Sequence, residues 1–561
     1  MACAHAWRDV ARFRGDPLFE ARRTVLSTGP RSVGIAWPTR TADLCSSANL
    51  GLTVARLDSD PMLGVSMSRY PHNRLAPRPI DLLDDRLRPI CDAYLGARQV
   101  PGASIAVVHG DMSYHYAYGV KSVLSAEPVT AQTGFNIASC SKAFVSAAVA
   151  SLVADRLASW DDPISRFVPE WQLQDPAETL KVTLRDLSAN RLGLPRVGLM
   201  EAGLDPRLPA EHVFSRLRHT AAVHALRERF TYINAGHNAN AVAVGRITGQ
   251  GFIDTLRDRI LQPLGMSTSS GGEQARTALT DQAAWHCRVG GDIVPIDSIF
   301  TDQQTGAGGM VVSGADALQW LRFHLNDGLV DGRQVISREA LLETHKPQAV
   351  AEPGKDLPSL FYPGAHMAAY ALGWAVSDFE GRPLICHSGT GYGVAAMTLL
   401  LPGSGLGIAV YANVLGAPVT SLSYALAAAV LGLPIRDWRA YFESFAPAPP
   451  AMPVANPSPA SSEESIDLDS YVGTYVHAAD GPLVVERVDG GLSGSLIHGY
   501  RMNFSLLPIG SNSFSVKFSQ PEWRALMDSE RTVLNFKVVG GASVAAQLDA
   551  GLMTREFERR V

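Results

Sequence analysis

The chain of 561 residues is long enough for two or three domains, and its 46% apolar and 18% charged residues are typical of a globular protein. A net charge of −5 and the lack of a dominant basic patch argue against a nucleic-acid partner, and no apolar run is long enough for a membrane span. The six cysteines form neither a C-x-x-C pair nor a metal pattern with histidine, so we predict free thiols, no metal and no cofactor. We also predict a cytoplasmic location, with a periplasmic one left open.

The first 75 residues combine Arg, Ser, Gly and Pro with little helical or strand periodicity, and we predict a poorly ordered extension over 1–75. No hydrophobic segment followed by a small-residue cleavage site marks a signal peptide. Met62 or Met67 would serve as an alternative start of the natural protein. Organised sequence begins with an amphipathic helix that we predict from Ile80 to Leu95.

Short strand and helix patterns then follow one another along the chain. Residues 103–108 are typical of a buried strand, and the next segment alternates as its hairpin partner. Thr183 with Asp186 three residues later predicts the start of a helix. The Gly-rich stretch 306–310 is predicted as a turn before a helix over 315–325, and it lacks the lysine and strand context of a phosphate-binding loop.

The first candidate for chemistry is the stretch 134–149, in which a polar turn leads into an Ala/Val-rich run with helix-forming composition. Ser139 falls at the first turn of this predicted helix, and Lys142 shares its face. A half-buried lysine with a lowered pKa can act as the base that a serine nucleophile needs, and a helix N-terminus favours an oxyanion. The plain alternative is an N-cap serine followed by a surface lysine. Cys140 is rotated about 100° away, and we expect it to be buried and inert.

The second candidate lies where an extended turn, 230–234, opens an apolar helix predicted over 239–247. The spacing of Tyr232 and Asn234 places a phenol and an amide on the same side of this turn. A phenol beside a lysine ammonium is stabilised as a phenolate and can relay a proton to a leaving group. A core tyrosine and a turn asparagine are the alternative.

The third candidate is the run His387-Ser388-Gly389-Thr390, which follows a strand pattern at 383–386 and precedes two more. A histidine and a backbone N–H two or three residues later, on a strand edge, can bind a substrate carboxylate and complete an oxyanion hole. The alternative is a strand-end histidine beside a Gly-rich hairpin.

S-x-x-K, Y-x-N and H-x-G in this order resemble the motif set of the serine β-lactamase-like family, which includes class C β-lactamases, D-aminopeptidases, D,D-peptidases and β-lactamase-type esterases. The connecting segments that also agree are Pro101-Gly102-Ala103, Leu157 to Pro163, Leu194-Pro195, Pro263-Leu264-Gly265-Met266 and Gly308-Gly309 through Trp320-Leu321. The resemblance implies an α+β fold of the β-lactamase/transpeptidase type, an antiparallel sheet flanked by helices with an all-helical lobe. We predict this domain over 76–440.

The resemblance also implies a role for each motif residue. Ser139 would be the acylated nucleophile, Lys142 would take its proton, and Tyr232 would pass that proton to the leaving group. The backbone N–H groups of Ser139 and Thr390 would form the oxyanion hole.

Two further motif positions are implied in substrate binding, with departures from the family pattern. Asn234 would orient the substrate amide, and Gly389 completes the H-x-G motif. His387, which the resemblance places among the catalytic residues, stands where many β-lactamases have a lysine. This weakens the case for efficient β-lactam hydrolysis because a histidine is mostly neutral at pH 7. The loop 190–195 replaces a His-x-Ser-Gly-Leu-Pro-like segment, which puts substrate preference in doubt more than mechanism.

A Pro/Ala/Ser-rich linker is predicted over 441–465, and 466–561 carries short strand patterns between Gly or polar turns. Their even spacing predicts a small antiparallel β-barrel, which resembles the lipocalin-like C-terminal domain of some peptidases of this family. We expect side chains to fill its interior, and a use in capping the active-site cleft or in building a homo-oligomer. The strand patterns lie at 471–475, 483–488, 514–518, 533–538 and 544–548.

The leading functional hypothesis is a serine hydrolase that forms an acyl-enzyme on Ser139 and cleaves peptides with D- or non-proteinogenic residues. Linear non-ribosomal peptides, such as linearised microcystin, fit the family. A carboxylesterase or acyltransferase with the same chemistry is the first alternative, and an acyl-binding sensor that is acylated once and never released is the second. The expected partner is a small peptide or ester substrate.

Overall fold

An eight-stranded antiparallel sheet lies at the centre of residues 80–445 in the computed structural model. The strands of this part, numbered along the chain, are β1 (Gly102–His109), β2 (Met112–Gly119), β3 (Gly134–Asn136), β4 (Ser270–Gly271), β5 (Trp285–Val289), β6 (Asp292–Ile296), β7 (Met310–Ser313), β8 (Leu329–Val330), β9 (Arg333–Gln334), β10 (Ala349–Ala351), β11 (Ala368–Tyr370), β12 (Ala375–Phe379), β13 (Arg382–Gly391), β14 (Val394–Leu401) and β15 (Leu406–Ala412). The spatial order in the main sheet is β10-β11-β12-β13-β14-β15-β1-β2.

The structure describes residues 80–195, 209–297, 302–357, 359–434, 436–445, 467–496, 502–527, 532–550 and 554–560. The predicted extension over 1–75 and most of the predicted linker lie outside these residues. The domain boundaries stay predictions.

Helices cover both faces of the sheet and form a lobe at one side of it. They are α1 (Ile80–Gly96), α2 (Ser141–Ala154), α3 (Pro176–Thr179), α4 (Leu184–Ser188), α5 (Glu211–Arg216), α6 (Ala235–Thr248), α7 (Phe252–Leu256), α8 (Gly272–Ala278), α9 (Thr305–Gly308), α10 (Gly314–Leu325), α11 (Arg338–Glu343), α12 (Val419–Leu431) and α13 (Trp438–Ser444). None of the helices in the described ranges is long and apolar enough to cross a membrane.

Strand β1 shows how the sheet separates two hydrophobic cores. Successive side chains of a strand point to opposite faces. Ile105 and Val107 therefore belong to the core shared with α1 and α12, whereas Ala106 and Val108 belong to the core that contains α2. Burial on both faces explains why this segment is a continuous apolar run rather than an alternating one.

Helix α2 is surrounded by protein, because every side chain from Ser141 to Leu152 is buried. This explains its Ala/Val-rich composition without a polar face. Phe144 stacks on Trp320 of α10, with ring centroids 3.9 Å apart. The amine of Lys142 is thus placed in the interior by a helix that the surrounding core encloses.

Several predicted elements are confirmed. Thr183 and Asp186 form the predicted capping box at the start of α4. Two expectations were wrong in detail. Residues 305–308 form the short helix α9 rather than a turn, and the H-x-G motif lies inside β13 rather than after a strand. Pairing with β14 as far as Gly391 extends this strand, an effect that local sequence does not show.

The predicted C-terminal barrel is confirmed as a closed antiparallel barrel of eight strands. They are β16 (Gly473–His477), β17 (Gly481–Val488), β18 (Gly491–Leu496), β19 (Met502–Gly510), β20 (Ser513–Phe518), β21 (Thr532–Val539), β22 (Ala542–Ala550) and β23 (Thr554–Arg559), with helix α14 (Pro521–Met527) between β20 and β21. Buried side chains such as Phe504, Phe514 and Phe557 fill its interior. Strands β18, β19 and β23 were not predicted, because Gly, Ser or charged residues interrupt their apolar alternation.

Candidate active site

Ser139 lies on a one-turn 3-10 helix, Ala138–Cys140, between β3 and α2. The preceding residue Ala138 has a φ of +44°, a conformation that costs a residue with a Cβ about 1 kcal/mol. Two side chains hold this turn. The Ala138 N–H donates to Oδ1 of Asn136 at 2.9 Å, and Oγ of Ser141 donates to the Ala138 carbonyl oxygen at 2.6 Å. The half-buried Ser139 hydroxyl is therefore presented by a turn that its neighbours fix.

The same two side chains connect the Ser139 turn to the end of α9. Nδ2 of Asn136 donates to the Gly308 carbonyl oxygen at 3.1 Å, and the Met310 N–H donates to Oγ of Ser141 at 3.0 Å. Neither asparagine nor serine was assigned a role from the sequence, although both lie next to the S-x-x-K motif. Their partners are about 170 residues away, and local sequence contains no signal for such contacts.

Lys142 is buried, and its Nζ is surrounded by three oxygen atoms. Nζ lies 3.1 Å from Oγ of Ser139, 2.8 Å from Oδ1 of Asn234 and 2.9 Å from the carbonyl oxygen of Ala307. The structure therefore brings together the serine and lysine of the first motif with the asparagine of the second. Ala307 on α9 was not identified from the sequence, since its contribution is a backbone carbonyl that any residue could supply.

The chemistry of these oxygens determines how a neutral Lys142 would be oriented. A carbonyl and an amide oxygen can only accept, so they engage two N–H groups of the amine. The Ser139 hydroxyl, in contrast, can donate as well as accept. A neutral Nζ can therefore accept from the Ser139 hydroxyl, and an ammonium can donate to all three oxygens.

Helix α6 holds the α9 carbonyl in place. Oδ1 of Asn238 accepts from the Ala307 N–H at 2.8 Å, and Asn238 is buried. The peptide group next to the Lys142 acceptor is therefore anchored to the helix that Asn234 precedes. Asn238 is a second supporting residue that was not predicted from the sequence.

Tyr232 is half-buried beside Lys142, with Nζ 4.8 Å from its ring centroid. Its ring centroid lies 6.4 Å from that of His387, so the tyrosine of the second motif reaches the third motif as well. Asn190, with a φ of +50°, supports this tyrosine from both sides. Its carbonyl oxygen accepts from the Thr231 N–H at 2.8 Å, and its Oδ1 accepts from the Ile233 N–H at 3.1 Å.

His387 is buried, and both ring nitrogens are engaged inside the protein. Nδ1 lies 2.6 Å from the Ser388 carbonyl oxygen, which can only accept, so Nδ1 carries the proton. Nε2 then accepts from the hydroxyl of Tyr370 at 2.9 Å. Burial, with a smaller contribution from the nearby Lys142, lowers the pKa of His387 to about 3. The ring is therefore neutral at pH 7, and the expected contact with a substrate carboxylate would require it to break one of these hydrogen bonds.

Gly389 brings β13 directly against the nucleophile turn. A Cβ at this position would overlap the carbonyl oxygen of Ile137, so only glycine permits this approach. Strand β12 pairs with β13 only as far as Cys386, whereas β14 continues to Gly391. Among the described strands, none covers this edge of β13 at the exposed Thr390, which carries the expected second oxyanion donor.

Cys140 is buried as expected, and burial raises the pKa of its thiol to about 12. Its Sγ donates to the carbonyl oxygen of His387 at 3.0 Å. The thiol thus joins the nucleophile turn to β13 and is protonated at neutral pH, so it is not a competing nucleophile.

A family model described as Beta-lactamase matches residues 87–431, well over half of the chain. The chain belongs to the beta-lactamase family. Among solved structures, it is similar to the octameric penicillin-binding protein homologue from Pyrococcus abyssi, with a TM-score of 0.54 and 19% identity over 84% of this chain and 99% of that one. A class C beta-lactamase aligns with a TM-score of 0.51 and 18% identity over 64% of this chain and 98% of its own. These likenesses confirm the predicted β-lactamase/transpeptidase-like fold.

Curated relatives are distant. Unguisins hydrolase ungD of Aspergillus violaceofuscus is 24% identical over 324 residues, 54% of this chain and 56% of the relative. Protein flp of Staphylococcus aureus (strain N315) is also 24% identical, over 54% of this chain and 57% of its own. The chain thus spans about half the length of the curated relatives it matches.

Proposed function

We propose that this member of the beta-lactamase family is a serine hydrolase that forms an acyl-enzyme on Ser139. The observation that carries the proposal is the position of the buried Lys142 amine, 3.1 Å from the half-buried Ser139 hydroxyl and within hydrogen-bond distance of Oδ1 of Asn234 and the Ala307 carbonyl oxygen. A serine needs such a base within hydrogen-bond reach to become a nucleophile.

In the proposed acylation step, the neutral Lys142 amine takes the proton of the Ser139 hydroxyl while Oγ attacks the substrate carbonyl carbon. The carbonyl π bond breaks, and its electron pair becomes the oxyanion of the tetrahedral intermediate. The N–H groups of Ser139 and Thr390 are the proposed donors to this oxyanion. Gly389 permits the close approach of β13 to the nucleophile turn that such a pair of donors requires.

Collapse of the intermediate breaks the bond to the leaving group, which must receive a proton. We assign this transfer to Lys142 and Tyr232, because the Tyr232 ring lies beside Nζ at the half-exposed side of the site. Water then attacks the acyl-enzyme, and the same groups accept its proton and return one to Ser139. Asn234 holds Nζ through its Oδ1, and we propose that its amide also orients the substrate.

For the substrate class, we propose peptides that contain D- or other non-proteinogenic residues. One structural neighbour supports this choice by its title: SurE, solved with D-Leu, which shares 20% identity over 86% of this chain. The family resemblance alone also fits an esterase, so the choice needs a direct comparison. We further propose a homo-oligomer, in line with the octameric relative, which light scattering after size exclusion would test.

The test of the shared step is intact mass measurement after incubation with a fluorophosphonate. We expect a single adduct on Ser139 and none in Ser139→Ala. Equal labelling of Ser139→Ala, or no labelling of the wild type, would remove the nucleophile assignment. The surface variant Lys355→Ala, at a residue whose side chain is 79% exposed, should label like the wild type.

Steady-state turnover then separates the remaining alternatives. A peptidase should release product from D-residue peptides faster than from p-nitrophenyl esters of matched acyl groups, after allowance for the reactivity of the leaving group. The reverse preference would indicate a carboxylesterase or acyltransferase. A burst of one equivalent with no steady state would indicate an acyl-binding sensor.

A further inference from the structure

We infer that Trp523, a residue of the C-terminal barrel, is a positioning residue for the end of β13 that carries the proposed oxyanion donor Thr390. The inference rests on the proposed function. It concerns a residue more than 100 positions from the nearest motif in the sequence, in a part of the chain beyond the family match at 87–431.

The contact begins two residues after Thr390. The turn between β13 and β14 carries Tyr392, whose ring centroid lies 5.4 Å from that of Trp523 in an edge-to-face arrangement. Both aromatic side chains are buried, with 8% of Tyr392 and 2% of Trp523 exposed. Such ring pairs contribute specific geometry in addition to buried area.

The contact also reaches the other side of the proposed oxyanion hole. Ala138, the strained residue before the nucleophile, lies in the same apolar cluster as Tyr392, Val394 and the buried side chains of the barrel. The elements that carry both proposed oxyanion donors therefore pack into one core with the barrel. Because this core is close-packed, a displacement of the barrel surface would also shift the Ser139 turn and the end of β13.

Helix α14, which carries Trp523, is itself held against the β5–β6 hairpin. Sγ of Cys287 donates to the carbonyl oxygen of Pro521 at 3.5 Å. The same hairpin binds the β13–β14 turn, because the His286 N–H donates to the carbonyl oxygen of Gly393 at 3.1 Å. The turn is thus enclosed by the hairpin on one side and by Trp523 on another.

A second anchor fixes the barrel on the helical lobe. Ala479, in the turn between β16 and β17, is buried in the core that contains α2 rather than in the barrel core. The adjacent Asp480 is buried and accepts from Nε of Arg555 on β23 at 2.8 Å, which holds the turn on the barrel. With anchors at α14 and at this turn, the barrel is fixed relative to the site at two separate places.

Strand pairing holds the end of β13 on one side only, since β14 pairs with it as far as Gly391 whereas β12 stops pairing at Cys386. Packing against Tyr392 therefore contributes to where the Thr390 N–H points. A shift of about 1 Å in such a group lowers a rate by about 100-fold, and the loss of one oxyanion donor lowers kcat by a similar factor.

The experiment uses the full chain with Trp523→Ala, Trp523→Phe and the barrel-core control Phe514→Ala. Phe514 is as buried as Trp523 and contacts Tyr471 and Phe536 within the barrel. For Trp523→Ala we expect kcat on a small p-nitrophenyl ester to fall about 10- to 100-fold while KM changes less than about 3-fold. Phe514→Ala should keep kcat, and Trp523→Phe should recover most of the loss.

A thionoester of the same acid supplies the readout that a general loss of structure would not change. Sulfur accepts hydrogen bonds poorly, so an intact oxyanion hole favours the oxoester. The ratio of oxoester to thionoester turnover should fall in Trp523→Ala and stay unchanged in Phe514→Ala. An unchanged ratio, or a kcat equal to that of the control, would overturn the inference.

If Trp523→Ala does not fold, the same measurements are made on Tyr392→Leu, because this variant removes the same ring contact from the other side. We expect the same fall in kcat and in the oxoester preference, and wild-type values would overturn the inference. Failure of the wild type to label at Ser139 would instead overturn the proposed function, so the two failures are distinguishable.

Discussion

Lys142 and His387 are two buried basic side chains of the same candidate site, and their surroundings differ. Nζ of Lys142 has three oxygen atoms within hydrogen-bond distance, each able to accept from an ammonium. His387 has one acceptor, the Ser388 carbonyl, and one donor, the Tyr370 hydroxyl. An environment of acceptors stabilises a cation, whereas a donor at the second ring nitrogen stabilises the neutral form.

The difference shows that burial alone does not define a role in proton transfer. The Lys142 site accommodates both protonation states, because the Ser139 hydroxyl can reverse its hydrogen bond. The His387 site accommodates only the neutral state without rearrangement. We therefore expect Lys142 to act in proton transfer, and His387 to hold β13 and Tyr370 in place.

The largest expected effect is that of Lys142→Ala. Removal of the base should lower the acylation rate about 10²- to 10⁴-fold, since general bases contribute factors of this size. Stopped-flow measurement of ester acylation would check it. A loss below about 10-fold would show that another group takes the Ser139 proton. The surface variant Lys355→Ala serves as the matched control.

The second largest effect is expected for Gly389→Ala, on the same strand β13 that carries His387. Gly389→Ala would place a Cβ against the Ile137 carbonyl oxygen and push β13 away from the nucleophile turn. We expect kcat/KM to fall about 100-fold, because both proposed oxyanion donors lie on the separated elements. Gly403→Ala is the control, since its Cβ would meet no atom within 4 Å. Equal activity of the two variants would contradict this account of the site.

A smaller effect is expected from the support of Tyr232. Asn190 has a φ of +50°, which glycine adopts without strain, so Asn190→Gly removes the side chain while retaining the backbone conformation. Loss of the hydrogen bond to the Ile233 N–H should lower kcat about 10-fold and leave the melting temperature within a few degrees. A kcat within about 2-fold of the wild type would show that Tyr232 does not depend on this contact.

The smallest effect on activity, and a distinct one on stability, is expected for His387→Asn. The pKa of His387 is about 3 in the folded protein and about 6.5 when unfolded, so below pH 6.5 the unfolded chain binds a proton that the folded chain does not. This group therefore lowers the free energy of unfolding as pH falls from 6.5 towards 3, by up to about 1.4 kcal/mol per pH unit. Urea titrations at pH 4.5 to 6 should show a shallower pH dependence for the variant.

The pH dependence of activity provides the control for this stability prediction. Because His387 stays neutral above pH 5, kcat/KM of the wild type and of His387→Asn should have parallel pH profiles between pH 5 and 8. A limb near pH 6.5 that disappears in the variant would show that His387 titrates during turnover and would remove the distinction from Lys142.

Much of the site could be predicted because its chemistry requires particular side chains. Ser139 and Lys142 are separated by one helical turn, so their proximity follows from local geometry. Tyr232 and Asn234 could be placed in the same site only through the family resemblance. The loop 190–195, whose departure from the family pattern raised a question of substrate preference, contains Asn190, the residue that supports Tyr232.

Other parts of the site lacked any local signal. Ala307 contributes a backbone carbonyl, which any residue could supply. Asn136 and Asn238 have hydrogen-bond partners that are distant in the sequence. The hydrogen bond between Tyr370 and His387 became evident only from the tertiary structure. The length of β13 depends on pairing with β14, and the contact of Trp523 with Tyr392 joins two parts of the chain that the sequence separates by a linker.

The sequence by itself determined the order of the motifs, the strand pattern of a C-terminal barrel and the side chains available for acyl transfer, because local spacing and apolar periodicity encode these features directly. The α+β class followed from the family resemblance that the motifs carry. Only the tertiary structure decided which of the basic groups has acceptors around it, which tautomer His387 adopts, and which backbone groups meet Lys142. These depend on atoms brought together from distant segments, and the protonation of a buried group is governed by those neighbours rather than by its own identity.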